Sequence, residues 1–242
     1  MNHSHLMRRA VAETLGTGLL VAVVVGSGIA ASRLSTDGGI QLLANSLVTA
    51  MGLTVLILLF GPVSGAHLNP MVSTVDAVLG RGARSGPRAP EAIVYVTAQI
   101  SGAIGGAVLA NLMFDVPTAW STTVRTGPGV LLGEVVATAG LLLLVLGLAR
   151  AGAGWVAAPA VGAYIGAAYW FTSSTSFANP AVTVGRMFTD TFAGIAPTSV
   201  LPFLAAQLLG AILGAALAVV VFPRAVTGSP VADDVVVPQT IP

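Results

Sequence analysis

The sequence predicts an all-α membrane protein with six transmembrane helices and two re-entrant half-helices, arranged as an inverted repeat. Three observations indicate this fold class. The 242-residue chain is 55% hydrophobic and 8% charged, whereas a soluble domain carries roughly a quarter charged residues. Apolar stretches of about 20 residues, long enough to cross a bilayer as helices, recur along the chain. Two short segments that each begin with Asn-Pro interrupt these stretches, and the second half of the chain repeats the pattern of the first.

Six apolar stretches are expected to span the membrane. The first is longer than the core of a signal peptide and is followed by further spans, so we expect it to be a retained helix. The expected spans are residues 10–31, 40–60, 91–112, 128–149, 155–173 and 198–222.

Two shorter segments, about residues 69–80 and 179–189, are too short to span the bilayer. Each begins with Asn-Pro, which starts a helix well because Pro fits the first turn and Asn caps free N–H groups. Membranes tolerate such short helices only where they pack inside protein or line a cavity. Two half-helices at membrane depth would direct their positive ends towards each other, an arrangement that suits a pore.

The two halves of the chain share a sequence pattern. Glu13 begins a run whose spacing recurs from Glu134, and the twelve residues from Gln99 match those from Gln207 at eight positions. Each half has three spans, with a half-helix between its second and third span. Because three is odd, the second half enters the membrane from the opposite side. The repeats cover about residues 10–112 and 128–222, and residues 1–9 and 223–242 are terminal segments.

The charged residues predict the orientation. With six spans both termini share a side, and seven of the ten arginines fall there, in a chain without lysine. Because loops rich in Arg stay in the cytoplasm, we expect both termini there. The seven are Arg8, Arg9, Arg81, Arg84, Arg88, Arg150 and Arg224, against Arg33, Arg125 and Arg186.

Composition also excludes several function classes. The chain has no cysteine, so disulfides and thiolate metal sites are ruled out, and its three histidines suggest no metal site. A net charge of +1 gives no indication of nucleic acid binding. No nucleophile–base pair or phosphate loop is recognisable, so we expect neither an enzyme nor a cofactor.

The motifs resemble those of the aquaporin and glycerol-facilitator family, the major intrinsic proteins. The resemblance covers about residues 10–222 and rests on the loop motifs at 64–70 and 176–181, together with Glu13 and Glu134. It implies a passive homotetrameric channel in the lipid membrane for small neutral solutes. In the family, the two Asn side chains hold a permeating hydroxyl or water at the pore midpoint. The corresponding residues are Asn69, Pro70, Met71, Asn179, Pro180 and Ala181.

Glu13 and Glu134 admit two interpretations, since buried acids within a membrane are costly and usually functional. One is a proton-coupled site in a secondary transporter. The other, implied by the resemblance, is that each carboxylate accepts hydrogen bonds from the loop before a half-helix. We favour the second because the two acids are symmetric and lack a basic partner in their spans. The resemblance places His67 in the cytoplasmic vestibule, with a loop-packing role as the alternative.

The resemblance also implies a narrow ring on the extracellular side. Counting from the Asn-Pro motifs places it at Thr49, Ala167, Ser176 and Val182. The family usually has Arg at the last position, and its water-selective members have an aromatic residue and His at the first two. This small, uncharged ring therefore favours a wider pore for glycerol-like polyols or for metalloid hydroxides such as arsenite. The sequence of residues 168–183 resembles a bacterial subgroup linked to arsenic handling.

Arg186 lies four residues after Val182, which on a helix is the same face about 6 Å further outward. Because helical side chains point back towards the N-terminus, Arg186 is a candidate to replace part of the missing cation. The alternative is that Arg186 extends to the outer interface or pairs with Asp190.

Overall fold

The computed structural model describes residues 3–79 and 87–223, and α-helices form most of this part of the chain. Helices α1, α2, α4, α5 and α8 are long and apolar enough to cross a membrane. The helices are α1 His3–Leu34, α2 Gly38–Ser64, α3 Pro70–Leu79, α4 Ala89–Met113, α5 Pro128–Arg150, α6 Ala157–Phe171, α7 Pro180–Gly185 and α8 Pro197–Val221. Arg81, Arg84, Arg224 and the tail after residue 223 lie outside the described residues.

The expected span at 155–173 is built from two pieces. A 3₁₀ turn, Gly154–Val156, leads into α6, which has 15 residues. At about 1.5 Å per α-helical residue and 2.0 Å per 3₁₀ residue, the two pieces together reach roughly 28 Å. That length is close to the thickness of the hydrocarbon core of a bilayer. All six expected spans are therefore present.

The two half-helices, α3 and α7, each begin at the proline that follows an asparagine. The Asn179 side-chain oxygen accepts hydrogen bonds from the N–H groups of Ala181 and Val182, at 3.0 and 3.3 Å. In the first repeat, the Asn69 oxygen accepts from Met71 N at 2.9 Å. The second half-helix is shorter than expected, because α7 ends at Gly185 and continues as a 3₁₀ turn over Arg186–Phe188.

Glycines bring the backbones of α1 and α4 together. A Cβ atom on Gly102 would lie 2.1 Å from the Thr14 carbonyl oxygen, and one on Gly106 would lie 2.0 Å from the Gly18 carbonyl oxygen. In the second repeat, α5 and α8 make the same close approach. Small residues allow this contact between membrane helices, which fixes the frame around the half-helices.

Candidate functional site

The loops that precede the two half-helices meet in the interior of the protein. Asn69 Nδ2 donates to the Ala178 carbonyl oxygen at 2.8 Å, and Asn179 Nδ2 donates to the Leu68 carbonyl oxygen at 2.7 Å. Each asparagine therefore caps its own half-helix and also bonds to the opposite loop. An asparagine amide has two N–H groups, so each side chain has one more N–H to offer a solute.

Glu13 lies behind the first loop and is fully buried. One carboxylate oxygen accepts from Ser64 Oγ at 2.6 Å and from His67 N at 3.0 Å. The other accepts from Leu68 N and from Gln99 Nε2, both at 2.7 Å. Two backbone N–H groups of the loop are thus satisfied by one acid.

Glu134 has the equivalent place behind the second loop and is also fully buried. Its two oxygens accept from Phe177 N at 2.8 Å and from Ala178 N at 2.9 Å. Gln207 Nε2 donates to the same carboxylate at 2.6 Å. The two acids therefore make matching contacts in the two repeats.

These contacts hold a backbone that is otherwise costly. Ala66 and Leu68 have φ angles of 46° and 48°, and Ser176 and Ala178 have φ angles of 49° and 46°. Residues other than glycine rarely adopt this left-handed region, and the surrounding structure must compensate for it. The buried carboxylates provide that compensation, because they bind N–H groups of the same segments.

A cavity lies along the two loops. Much of its wall is apolar and comes from equivalent positions of the two repeats, such as Leu20 with Leu141, Val24 with Val145, and Ile57 with Ile165. Its polar lining consists of Thr49, His67, Asn69, Tyr169, Ser176, Asn179 and Arg186.

Most of the expected site residues contact this cavity. Of the expected filter ring, Thr49, Ser176 and Val182 line it, as do both motif asparagines and His67. The other motif residues do not line it. Pro70, Pro180 and Ala181 are buried, and Met71 is half-buried and packs against the apolar core.

The expected position of Ala167 is corrected by the structure, because Ala167 is exposed and does not line the cavity. The α6 residues that do line it are Val161, Ile165 and Tyr169, which are four residues apart and share one helix face. Ala167 is two residues from Ile165, about 200° around the helix. Counting from Asn179 missed Tyr169, whereas the helical period of the apolar residues in α6 would have found it.

Tyr169 on α6 contacts Thr49 on α2 in the cavity lining. Its hydroxyl oxygen lies 3.3 Å from Thr49 Oγ1, and both residues are buried. Ser176 Oγ is buried nearby in the lining and has no hydrogen-bond partner among the described residues. A solute hydroxyl in the cavity can therefore bond to Ser176 without breaking a protein hydrogen bond.

Arg186 is held in the cavity wall and is only 2% exposed. Its Nε donates to the Ala193 carbonyl oxygen, and its guanidinium carbon lies 3.5 Å from the centroid of the Phe177 ring. Asp190 instead accepts hydrogen bonds from Thr122 N and Oγ1, at 2.8 and 2.9 Å, and these lower the pKa of its carboxyl. The burial of Arg186 is inconsistent with extension to the outer interface.

Comparison with known proteins gives the family. The model of the family described as Major intrinsic protein matches residues 1–176, well over half of the chain. The chain belongs to the major intrinsic protein family. Aquaglyceroporin AqpS of Rhizobium meliloti (strain 1021) is 50% identical over 221 residues, which cover 90% of this chain and 91% of that protein. A probable TIP-type aquaporin of Medicago truncatula is 32% identical and covers 76% of each chain.

A solved structure has the same fold. The X-ray structure of the aquaglyceroporin from Plasmodium falciparum superposes with a TM-score of 0.69, covering 88% of this chain and 95% of that one. At 21% identity, this likeness concerns the fold alone. The fold class predicted from the sequence is confirmed.

Proposed function

We propose that this protein is a passive channel for small neutral solutes, namely water and glycerol-like polyols. The observation that carries the proposal is the cavity that lies along the two mutually hydrogen-bonded Asn-Pro loops. The asparagine amides offer donors to a passing hydroxyl, while the apolar residues of the cavity wall offer it no hydrogen-bond partner. The likeness to Aquaglyceroporin AqpS supports the same solute class.

In this proposal the two buried acids support the loops and do not transfer protons across the membrane. Glu13 accepts four hydrogen bonds, and two of them come from backbone N–H groups. Protonation would turn an acceptor into a donor and break at least one of these bonds. A proton-coupled transporter that used Glu13 or Glu134 would therefore have to rebuild a loop in each cycle.

We propose that Thr49, Tyr169, Ser176 and Val182 form the filter, with Arg186 as its cation. Arg186 provides the positive charge that the family usually carries at the Val182 position, and Thr49, Tyr169 and Ser176 provide hydroxyl groups. A ring that combines one cation with several hydroxyls suits an uncharged solute with several OH groups. Arsenite as its neutral hydroxide has that chemistry and is our second candidate solute, after glycerol.

We further propose a homotetramer in a bacterial inner membrane, with both termini in the cytoplasm. The contacts of the arginines support this orientation. Arg9 bonds to Tyr95 near the start of α4, and Arg150 bonds to Phe222 at the end of α8, so both lie at the end that holds the termini. Arg33 bonds to Phe114, just after α4, at the opposite end.

The solute range can be tested by stopped-flow light scattering on proteoliposomes. We expect glycerol and arsenite to enter well above the rate of empty liposomes, because the filter is lined with hydroxyls and lacks the aromatic residue and His of a strict water filter. Osmotic water flow measured on the same vesicles is the internal control for folded, inserted protein. Fast water flow with no glycerol and no arsenite flux would contradict the proposed filter.

A further inference from the structure

The repeat places two buried residues of opposite charge at equivalent positions of its two halves. Asp76 lies seven residues after Asn69, and Arg186 lies seven residues after Asn179. Both are buried, at 5% and 2% exposure. The inverted repeat therefore places an acid in α3, the half-helix that enters from the side of the termini, and a cation in the 3₁₀ turn directly after α7, on the opposite side.

Each of the two charges faces the residue two positions before the asparagine of its own half. Asp76 Oδ2 lies 3.7 Å from His67 Nε2, and the Arg186 guanidinium lies over Phe177. Both His67 and Phe177 line the cavity. Asp76 is thus one side chain behind the pore wall.

Several contacts beside the two charges match between the repeats. Gln99 Nε2 donates to Ser73 Oγ at 2.9 Å, and Gln207 Nε2 donates to Thr183 Oγ1 at the same distance. The aromatic contacts also match, since His67 packs edge-on against Tyr95 at 5.3 Å and Phe177 against Phe203 at 5.1 Å between ring centroids. The two charges of opposite sign therefore lie beside matching contacts in the two repeats.

Other charged side chains at this end of the protein have partners of their own. Arg9 on α1 donates to the Tyr95 hydroxyl at 2.6 Å and pairs with Glu91 on α4 at 3.5 Å. Glu13 accepts hydrogen bonds from two loop N–H groups and from the side chains of Ser64 and Gln99. Asp76 Oδ2, by contrast, is buried and has no hydrogen-bond partner in residues 3–79 and 87–223.

We propose that Asp76 excludes anions from the pore at the end that holds the termini, as the counterpart of Arg186 at the other end. This inference rests on the proposed channel function. Arg186 and the N-terminus of α3 create a positive potential that repels cations and attracts anions. A pore for neutral solutes needs a barrier against anions as well. At an effective dielectric constant of about 20, a unit charge about 10 Å from a passing ion changes the occupancy of the pore by that ion roughly tenfold.

The test compares chloride and glycerol flux in proteoliposomes that contain the full chain. We expect Asp76→Asn to raise the ratio of chloride efflux to glycerol influx roughly tenfold over wild type. Asp76→Glu retains the charge and should keep the wild-type ratio. Asp190→Asn is the matched control, because it removes one carboxylate from an exposed loop.

An unchanged chloride-to-glycerol ratio in folded Asp76→Asn would overturn the proposal. If that variant does not fold, Asp76→Leu removes the same charge without an amide to satisfy, and the same ratio is expected and decisive. Absence of glycerol flux in the wild type would contradict the channel function. Chloride efflux through the Asp76 variants tests only the role of Asp76 in excluding anions. The two failures are therefore distinguishable.

Discussion

Replacing Arg186 with alanine is expected to open the pore to protons and small cations. The guanidinium is buried in the cavity wall against Phe177, so its charge is poorly screened by water. At about 5 Å and an effective dielectric constant of about 20, a unit charge opposes a passing cation by about 3 kcal/mol. Removing it should raise the leak on the order of a hundredfold. A pH-sensitive dye trapped in proteoliposomes measures this leak directly.

Two further variants show whether the effect on leak belongs to the charge. Arg186→Lys keeps a cation in the wall and should leak less than Arg186→Ala. Arg33→Ala removes an exposed arginine at the same end of the protein and should behave as wild type. Unchanged cation leak and unchanged solute flux in Arg186→Ala would show that Arg186 is not the filter cation.

Truncating Tyr169 is expected to widen the filter. Tyr169→Ala removes a buried ring from the lining and the contact of its hydroxyl with Thr49. We expect erythritol, a longer polyol than glycerol, to pass at least about ten times faster, a change that corresponds to roughly 1.4 kcal/mol. Tyr169→Phe loses only the hydroxyl, so its effect should stay near the 0.5–1.5 kcal/mol typical of one hydrogen bond, or about tenfold at most. Stopped-flow light scattering with both polyols measures the ratio.

Phe171→Ala is the matched control for Tyr169→Ala. Phe171 is an aromatic residue on the same helix, but it is 57% exposed and does not line the cavity. Its truncation should leave the ratio of erythritol to glycerol flux at the wild-type value. Equal ratios in Tyr169→Ala and Phe171→Ala would remove Tyr169 from the proposed filter.

The sequence was sufficient for the spans and for the pairing of the loops. Hydropathy located the long helices to within a few residues at most ends, although α1 begins earlier than expected, at His3. The end of α7 was not predictable, because Gly185 packs against the Ala103 backbone, where an added Cβ would lie 2.6 Å from its carbonyl oxygen. Such a tertiary contact leaves no local signal in the sequence.

The candidate site was predictable where the repeat fixes the positions and less so elsewhere. Asn69 and Asn179 follow from the repeat, and both line the cavity. The position in α6 depends on the length of the loop before α7, so counting back from Asn179 selected Ala167 instead of Tyr169. The shared helix face correctly placed Arg186 near Val182, but only the packing shows the guanidinium held over Phe177.

Passive conduction is tested most directly by glycerol flux into proteoliposomes with and without imposed ion gradients. We expect flux to rise linearly with the glycerol gradient, without saturation, and to be the same with or without a pH or sodium gradient. Accumulation of glycerol against its own gradient, driven by either ion gradient, would contradict the channel and favour a coupled transporter.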